Sequence, residues 1–270
     1  MRPASLSRRA FLEAASAIST SALLPMQARE FDSGLIDYVG TAESIDVYST
    51  EAGQKRKLQS LASRHSSSLT LDTTGRHLFA VNEIDEFQGL PTSSVESYAV
   101  EPGTGHLRLT SRRPLSLSAT LPKGLALSPN GQHLVVAVYG GGLYSVLSVR
   151  PNGEIDGVTQ VIKEVGSSIR PDRQSSAHPH SVVFHPSGEF LIGTDSGADR
   201  INVFTMKNGH MTCVHRVSTV PGTGPAGLEI DCSGSQVFVA HRFSPLVARY
   251  RFDAGSGHLF ISGDSRRTLS

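Results

Sequence analysis

Leu125-Ala-Leu-Ser-Pro-Asn-Gly131-Gln-His-Leu-Val-Val-Ala137 carries apolar alternation on both sides of a glycine turn. Alternation with period two marks half-buried strands, and a glycine between two such runs supplies the positive φ of a hairpin. The phrase returns at 69–81 around Gly75, at 182–193 around Gly188 and at 228–240 around Gly234. The four glycines stand 56, 57 and 46 residues apart. Each copy continues into a third strand, at 94–100, 143–149, 201–204 and 246–252. A second turn follows, at 102–105, 152–153, 208–209 and 255–257, and then a fourth strand, as at 106–110 and 258–261. Four strands per repeat of roughly 45 to 55 residues is the unit of a β-propeller.

The expected fold is therefore all-β, a propeller of four-stranded blades over residues 36–270, with about five blades present. Tyr38 to Leu61 reads as the outer part of the first blade, with Ile45-Asp-Val-Tyr48 as its third strand. No closing strand is recognisable in Ser265–Ser270. The ring either closes on few blades or stays incomplete. An incomplete ring leaves end faces exposed, and self-association is the expected escape.

Composition narrows the functions. The 270 residues hold 25 Lys+Arg against 24 Asp+Glu, a net charge of +1, so no general basic field calls for a nucleic-acid partner. Few charges (18%) with 26 Gly and 14 Pro suit many short strands. Ser7-Arg8-Arg9-Ala10-Phe11-Leu12, a weakly apolar stretch from Ala14 to Leu24 and a small residue at Ala28 read as a twin-arginine export signal over residues 1–28. The expected location is periplasmic or extracellular. No segment approaches the ~18 apolar residues of a membrane span. Cys213 and Cys232 are either two free thiols or an oxidised pair. No cofactor is expected: there is no dinucleotide fingerprint, no phosphate-loop continuation after Gly140-Gly-Gly142, and no nucleophile elbow. The histidines lack the spacing of a zinc site, so no metal is expected.

One copy goes beyond a generic blade. Arg173-Gln174, His178-Pro-His180, Phe184-His-Pro-Ser-Gly188 and Asp195-Ser-Gly-Ala-Asp199-Arg200, in that order, resemble the lactonase family of seven-bladed propellers. That family includes propeller-type 6-phosphogluconolactonases and fungal carboxymuconate cyclases. Tyr139-Gly-Gly-Gly142, Asn82-Glu83 and Tyr38-Val-Gly-Thr41 are similar to the family's stretches in earlier blades. The family's Gly-Pro-Arg-His is replaced by Gly224-Pro-Ala-Gly227, and its next Asn-Glu pair falls on His241-Arg242. The resemblance implies a site with a histidine, matched by His178.

Opening a sugar lactone needs an activated water and positive groups facing the developing oxyanion. A neutral histidine can take the water's proton near pH 7, and an arginine can hold an oxyanion or carboxylate. His178 is the candidate base and Arg200 its catalytic partner. His180, Glu83, Tyr139, Asp195 and Arg242 are the candidate substrate contacts, since each sits at a strand entry or just after a second strand. The expected activity is hydrolysis of a sugar lactone or a related carboxylated lactone, with a small-molecule lactone as partner. The other reading is a non-catalytic exported propeller that binds a small ligand or a protein.

Overall fold

The glycines that punctuate the repeat take the left-handed backbone a hairpin needs, with φ of 63° at Gly75, 71° at Gly131 and 76° at Gly188 and Gly234. Around them the chain folds as strands only. The computed structural model describes residues 26–31, 34–51, 53–262 and 266–267. The first blade is β1 (Met26–Phe31), β2 (Gly34–Gly40), β3 (Ser44–Glu51) and β4 (Gln54–Ala62). The second is β5 (Ser66–Leu71), β6 (His77–Asn82), β7 (Ser94–Val100) and β8 (Leu107–Pro114). The third is β9 (Pro122–Leu127), β10 (His133–Val138), β11 (Leu143–Val149) and β12 (Ile155–Lys163). The fourth is β13 (Pro179–Phe184), β14 (Phe190–Asp195), β15 (Arg200–Lys207) and β16 (His210–Ser218). The fifth is β17 (Pro225–Ile230), β18 (Gln236–His241), β19 (Leu246–Asp253) and β20 (His258–Ile261).

Every sheet is antiparallel in chain order. A further short strand, β21 (Arg266–Arg267), pairs with β19 in the stretch where the sequence pattern offered no strand. The first blade also holds more than its outer part, because β1 pairs with β2 along its whole length. The hairpin phrase is missing there: Met-Gln-Ala-Arg-Glu-Phe does not alternate cleanly, so the pattern hides the strand. Most of the export-signal reading, residues 1–25, lies outside the described residues, while Met26–Ala28 fall in β1.

The first strands of successive blades lie side by side, β1 against β5, β5 against β9, β9 against β13 and β13 against β17. They are the inner strands around a common axis. Among the described residues no comparable strand contact joins the fifth blade to the first.

Apolar cores fill the spaces between blades. Ile36, Tyr38, Ile45 and Val47 of the first blade meet Leu78, Ala80 and Tyr98 of the second. Val135, Ala137, Tyr144 and Val146 of the third meet Leu191 and Phe204 of the fourth. Ile192, Ile201 and Val203 of the fourth meet Val237, Val239 and Tyr250 of the fifth. Alternation along each strand sends successive side chains to opposite neighbours, so the central strands of the second to fourth blades are buried on both faces, while β19 leaves Arg249 and Arg251 exposed. In an antiparallel blade the connections from second to third strand, and from fourth strand to the next blade, leave at the same end. That end collects the candidate residues.

Candidate active site

His178 closes the long connection between β12 and β13, and Tyr139 opens the connection between β10 and β11. His178 Nδ1 lies 2.9 Å from the backbone carbonyl oxygen of Tyr139. A carbonyl only accepts, so Nδ1 donates the proton and the neutral ring keeps its lone pair on Nε2. Ser176 Oγ stands 3.5 Å from Nε2, at the outer limit of a hydrogen bond, so it holds that lone pair only weakly. The imidazole lies flat on the Tyr139 ring, with centroids 4.3 Å apart and planes 11° apart. The backbone N–H of His178 donates to Asp195 Oδ1 at 2.7 Å. Tautomer, ring plane and backbone are thus each fixed by a different contact.

Two glycines permit this packing. Gly142 sits at φ +59°, and a Cβ there would stand 2.8 Å from the carbonyl oxygen of Ala177. A Cβ on Gly197 would overlap the carbonyl oxygen of Ser176 and stand 2.8 Å from His178 N.

His180, at the entry of β13, meets the Tyr139 ring edge-on at 6.2 Å. Its Nδ1 is buried and makes no hydrogen bond. Burial, with the charges of Arg242 and Lys123 beside it, pushes this imidazole down to about 3. His180 is therefore neutral at ordinary pH and is a hydrogen-bonding group, not a base matched to pH 7. Lys123 at the start of β9 pairs with Glu83 from the connection after β6. Arg242, after β18, places its guanidinium 5.5 Å from the Tyr139 ring centre and 5.7 Å from that of Phe243. Five predicted residues therefore share one rim: His178, His180, Tyr139, Arg242 and, through Lys123, Glu83.

Asp195 and Arg200 lie behind that rim. Asp195 is fully buried and accepts from His178 N, Gly197 N and Ala198 N. Arg200 Nη2 stands 3.1 Å from Asp195 Oδ2, 2.7 Å from Val165 O and 3.5 Å from Glu164 Oε2. None of these partners of Arg200 is His178 itself.

Sequence reasoning did not single out Lys123, Arg170 or Phe243. Arg170 and Arg173 each lie 5.5 Å from the Phe243 ring centre, so three guanidiniums surround one aromatic face beside Tyr139. These residues come from separate connections, and no spacing in the chain announces their meeting. Cys213 is half-buried, Cys232 is exposed, and both are free thiols. Among the described residues no group of three or more His, Cys, Asp or Glu could hold a metal ion, and no helix is long and apolar enough to cross a membrane.

A family model described as lactonase, 7-bladed beta-propeller, matches residues 37–264. The 6-phosphogluconolactonase of Bacillus subtilis is 22% identical over 230 residues, covering 82% of this chain and 64% of that protein. The 6-phosphogluconolactonase of Formosa agariphila is 23% identical over 217 residues, covering 78% of this chain and 60% of that protein. This chain thus spans less than two thirds of the length of either curated relative. Among solved structures, the periplasmic gluconolactonase of Pseudomonas aeruginosa is 28% identical with a TM-score of 0.74, over 89% of this chain and 67% of that one.

Proposed function

From the premise that this chain belongs to the lactonase family of seven-bladed β-propellers, we propose that it hydrolyses a sugar lactone or a related carboxylated lactone. The observation that carries this reading is the Nδ1–H of His178 held on the Tyr139 carbonyl, which leaves Nε2 open to a water. In the proposed reaction Nε2 takes a proton from water as the water oxygen attacks the lactone carbonyl carbon. The oxyanion that forms is stabilised by a cation at the rim, and Arg242 is the arginine adjoining Tyr139. The tetrahedral carbon then expels the ring oxygen, which recovers the proton from His178, and the product is the open hydroxy acid. His180, kept neutral, and the Lys123–Glu83 pair are placed to orient sugar hydroxyls.

The expected result is hydrolysis of glucono-δ-lactone faster than in buffer alone. His178→Ala lowers kcat/KM on the order of 10²- to 10⁴-fold and keeps a cooperative melt. Wild-type rates equal to buffer on neutral, carboxylated and phosphorylated lactones would overturn the reading.

The periplasm is the proposed location. It is supported by Arg8-Arg9 followed by Phe11-Leu12, and by the likeness to the periplasmic gluconolactonase of Pseudomonas aeruginosa. Export that persists after Arg8 and Arg9 are both changed to Lys would count against the twin-arginine route. Carbohydrate metabolism is the process proposed for the chain on the same reading. Any self-association is proposed to run through an end face of the blade stack.

A further inference from the structure

The connection from Glu164 to His178 carries Arg170, Arg173 and His178, and its two ends are tied to the same pair of side chains. At its start, Val165 O accepts from Arg200 Nη2 at 2.7 Å, and Glu164 Oε2 lies 3.5 Å from the same nitrogen. At its end, His178 N donates to Asp195 Oδ1 at 2.7 Å. Asp195 Oδ2 and Arg200 Nη2 join the two ends at 3.1 Å. Between them, Gln174 Nε2 donates to Ser196 O at 2.9 Å, and Ser196 N donates to His178 O at 3.0 Å. Asp195 is fully buried and Glu164 nearly so, while the Arg200 side chain is only 19% exposed. Buried carboxylates persist when a cation and hydrogen bonds compensate them. Arg200 is that cation for Asp195, and it shares Glu164 with Arg216, itself 3.5 Å away.

We propose that Asp195 and Arg200 form a clasp that positions His178 by stapling both ends of the connection between β12 and β13. Arg200 is on this account a positioning residue that acts through Asp195, not a group that touches the substrate. Asp195 sets where the His178 backbone sits. The Tyr139 carbonyl and ring can then set its tautomer and plane. Asp195 and Arg200 are the last pair of the β14–β15 ladder, so opening the clasp is expected to leave the pairs from Phe190–Thr205 to Thr194–Ile201, and the buried Ile192, Ile201 and Val203, in place.

The kinetic arm of the test rests on the lactonase reading; the spectroscopic arm does not. Stacking at 4.3 Å shields the His178 ring protons, so in the wild type their NMR resonances should stand upfield of an exposed histidine. Asp195→Asn and Arg200→Met are expected to move them to the exposed position and to raise amide hydrogen exchange across residues 165–177. Strands β13 to β16 should keep their protection. In lactone assays both variants are expected to lose kcat on the order of 10²-fold with KM little changed, and Arg200→Lys is expected to recover part of the loss. Asp195→Asn preserves shape if Arg200→Met fails to fold. Unshifted His178 resonances with unchanged exchange in Asp195→Asn would overturn the clasp, whether or not the wild type hydrolyses any lactone. A loss confined to KM would overturn it too, because it would make Arg200 a substrate contact.

Discussion

Neutral imidazoles held inside the fold make this protein's stability depend on pH. Burial, with Arg242 and Lys123 nearby, holds His180 down to about 3, and burial holds His241 down to about 4 despite the attraction of Asp199. Both rings have an ordinary value of 6.5 when the chain is unfolded. Between those limits the unfolded chain binds protons that the folded chain refuses, so stability is complete above 6.5 and falls as pH drops toward 4. Melting temperatures measured from pH 7 to pH 4 should decline, and the double change His180→Gln with His241→Gln should flatten the slope. A wild-type melting temperature that rises on acidification would contradict this. Gly197 offers a steric test. Gly197→Ala puts a methyl against Ser176 O and His178 N, so it should cost about 1–3 kcal/mol and shift the His178 resonances. His178 itself was legible in the chain because it sits in a recognisable motif. Its partner atom was not, because a backbone carbonyl leaves no trace in residue identity.

Strands were legible wherever apolar alternation ran into a glycine turn, which covers the second to fifth blades. The limits lay where packing, not pattern, sets the element. β1 lacks a clean alternation and is found only through its pairing with β2. The connection from 164 to 178 looks like an unstructured loop in sequence, and tertiary contacts give it a fixed course: the Asp195–Arg200 pair at its ends, and Gln174 to Ser196 and Arg170 to Gly222 between them. The buried acids also carry different meanings from blade to blade. Glu96 on β7 accepts from Arg112, Tyr98 and Ser63, and Asp46 on β3 accepts from Lys57, Ser60 and Ser44. Burial works to raise Asp46, but those donors prevail and hold it down to about 2. The stability it confers is thus present above the ordinary carboxylate range and is lost as pH falls through about 2. Packing between blades can be tested by one pair of changes. Ile192→Ala, at a fully buried site between the fourth and fifth blades, should cost about 2–5 kcal/mol in chemical denaturation. Phe260→Ala on the outer strand, 43% exposed, should cost distinctly less. Equal losses would mean that the blade interface does not carry the stability.

Across the whole molecule, the two terminal faces differ from the interior ones. Where the third blade pairs Val135 with Val146 and the fourth pairs Ile192 with Val203, the fifth pairs Phe238 with Arg249. Arg251 follows two residues on, 4.9 Å from the Phe260 ring centre, and both arginines are exposed. The first blade carries Asp37 with Lys55 and Asp46 with Lys57. Contacts made through such faces, if the chain self-associates as proposed, would be ionic and so screened by salt. Association of the purified protein should weaken between low and high ionic strength in sedimentation experiments and should be reduced by Arg249→Glu. Association that strengthens with salt would point to an apolar contact instead.

Arg242 reaches back from the last blade to the ring beneath His178. Among the described residues the fifth blade packs on the fourth with no comparable strand contact on its other face, and repeats held from one side detach first. Mild heating or dilute denaturant should therefore loosen Arg242 from the mouth while the second to fourth blades stay folded, and on the lactonase reading turnover would fade before the bulk β-signal does. If the chain is a lactonase as proposed, its turnover gauges whether the fifth blade is seated.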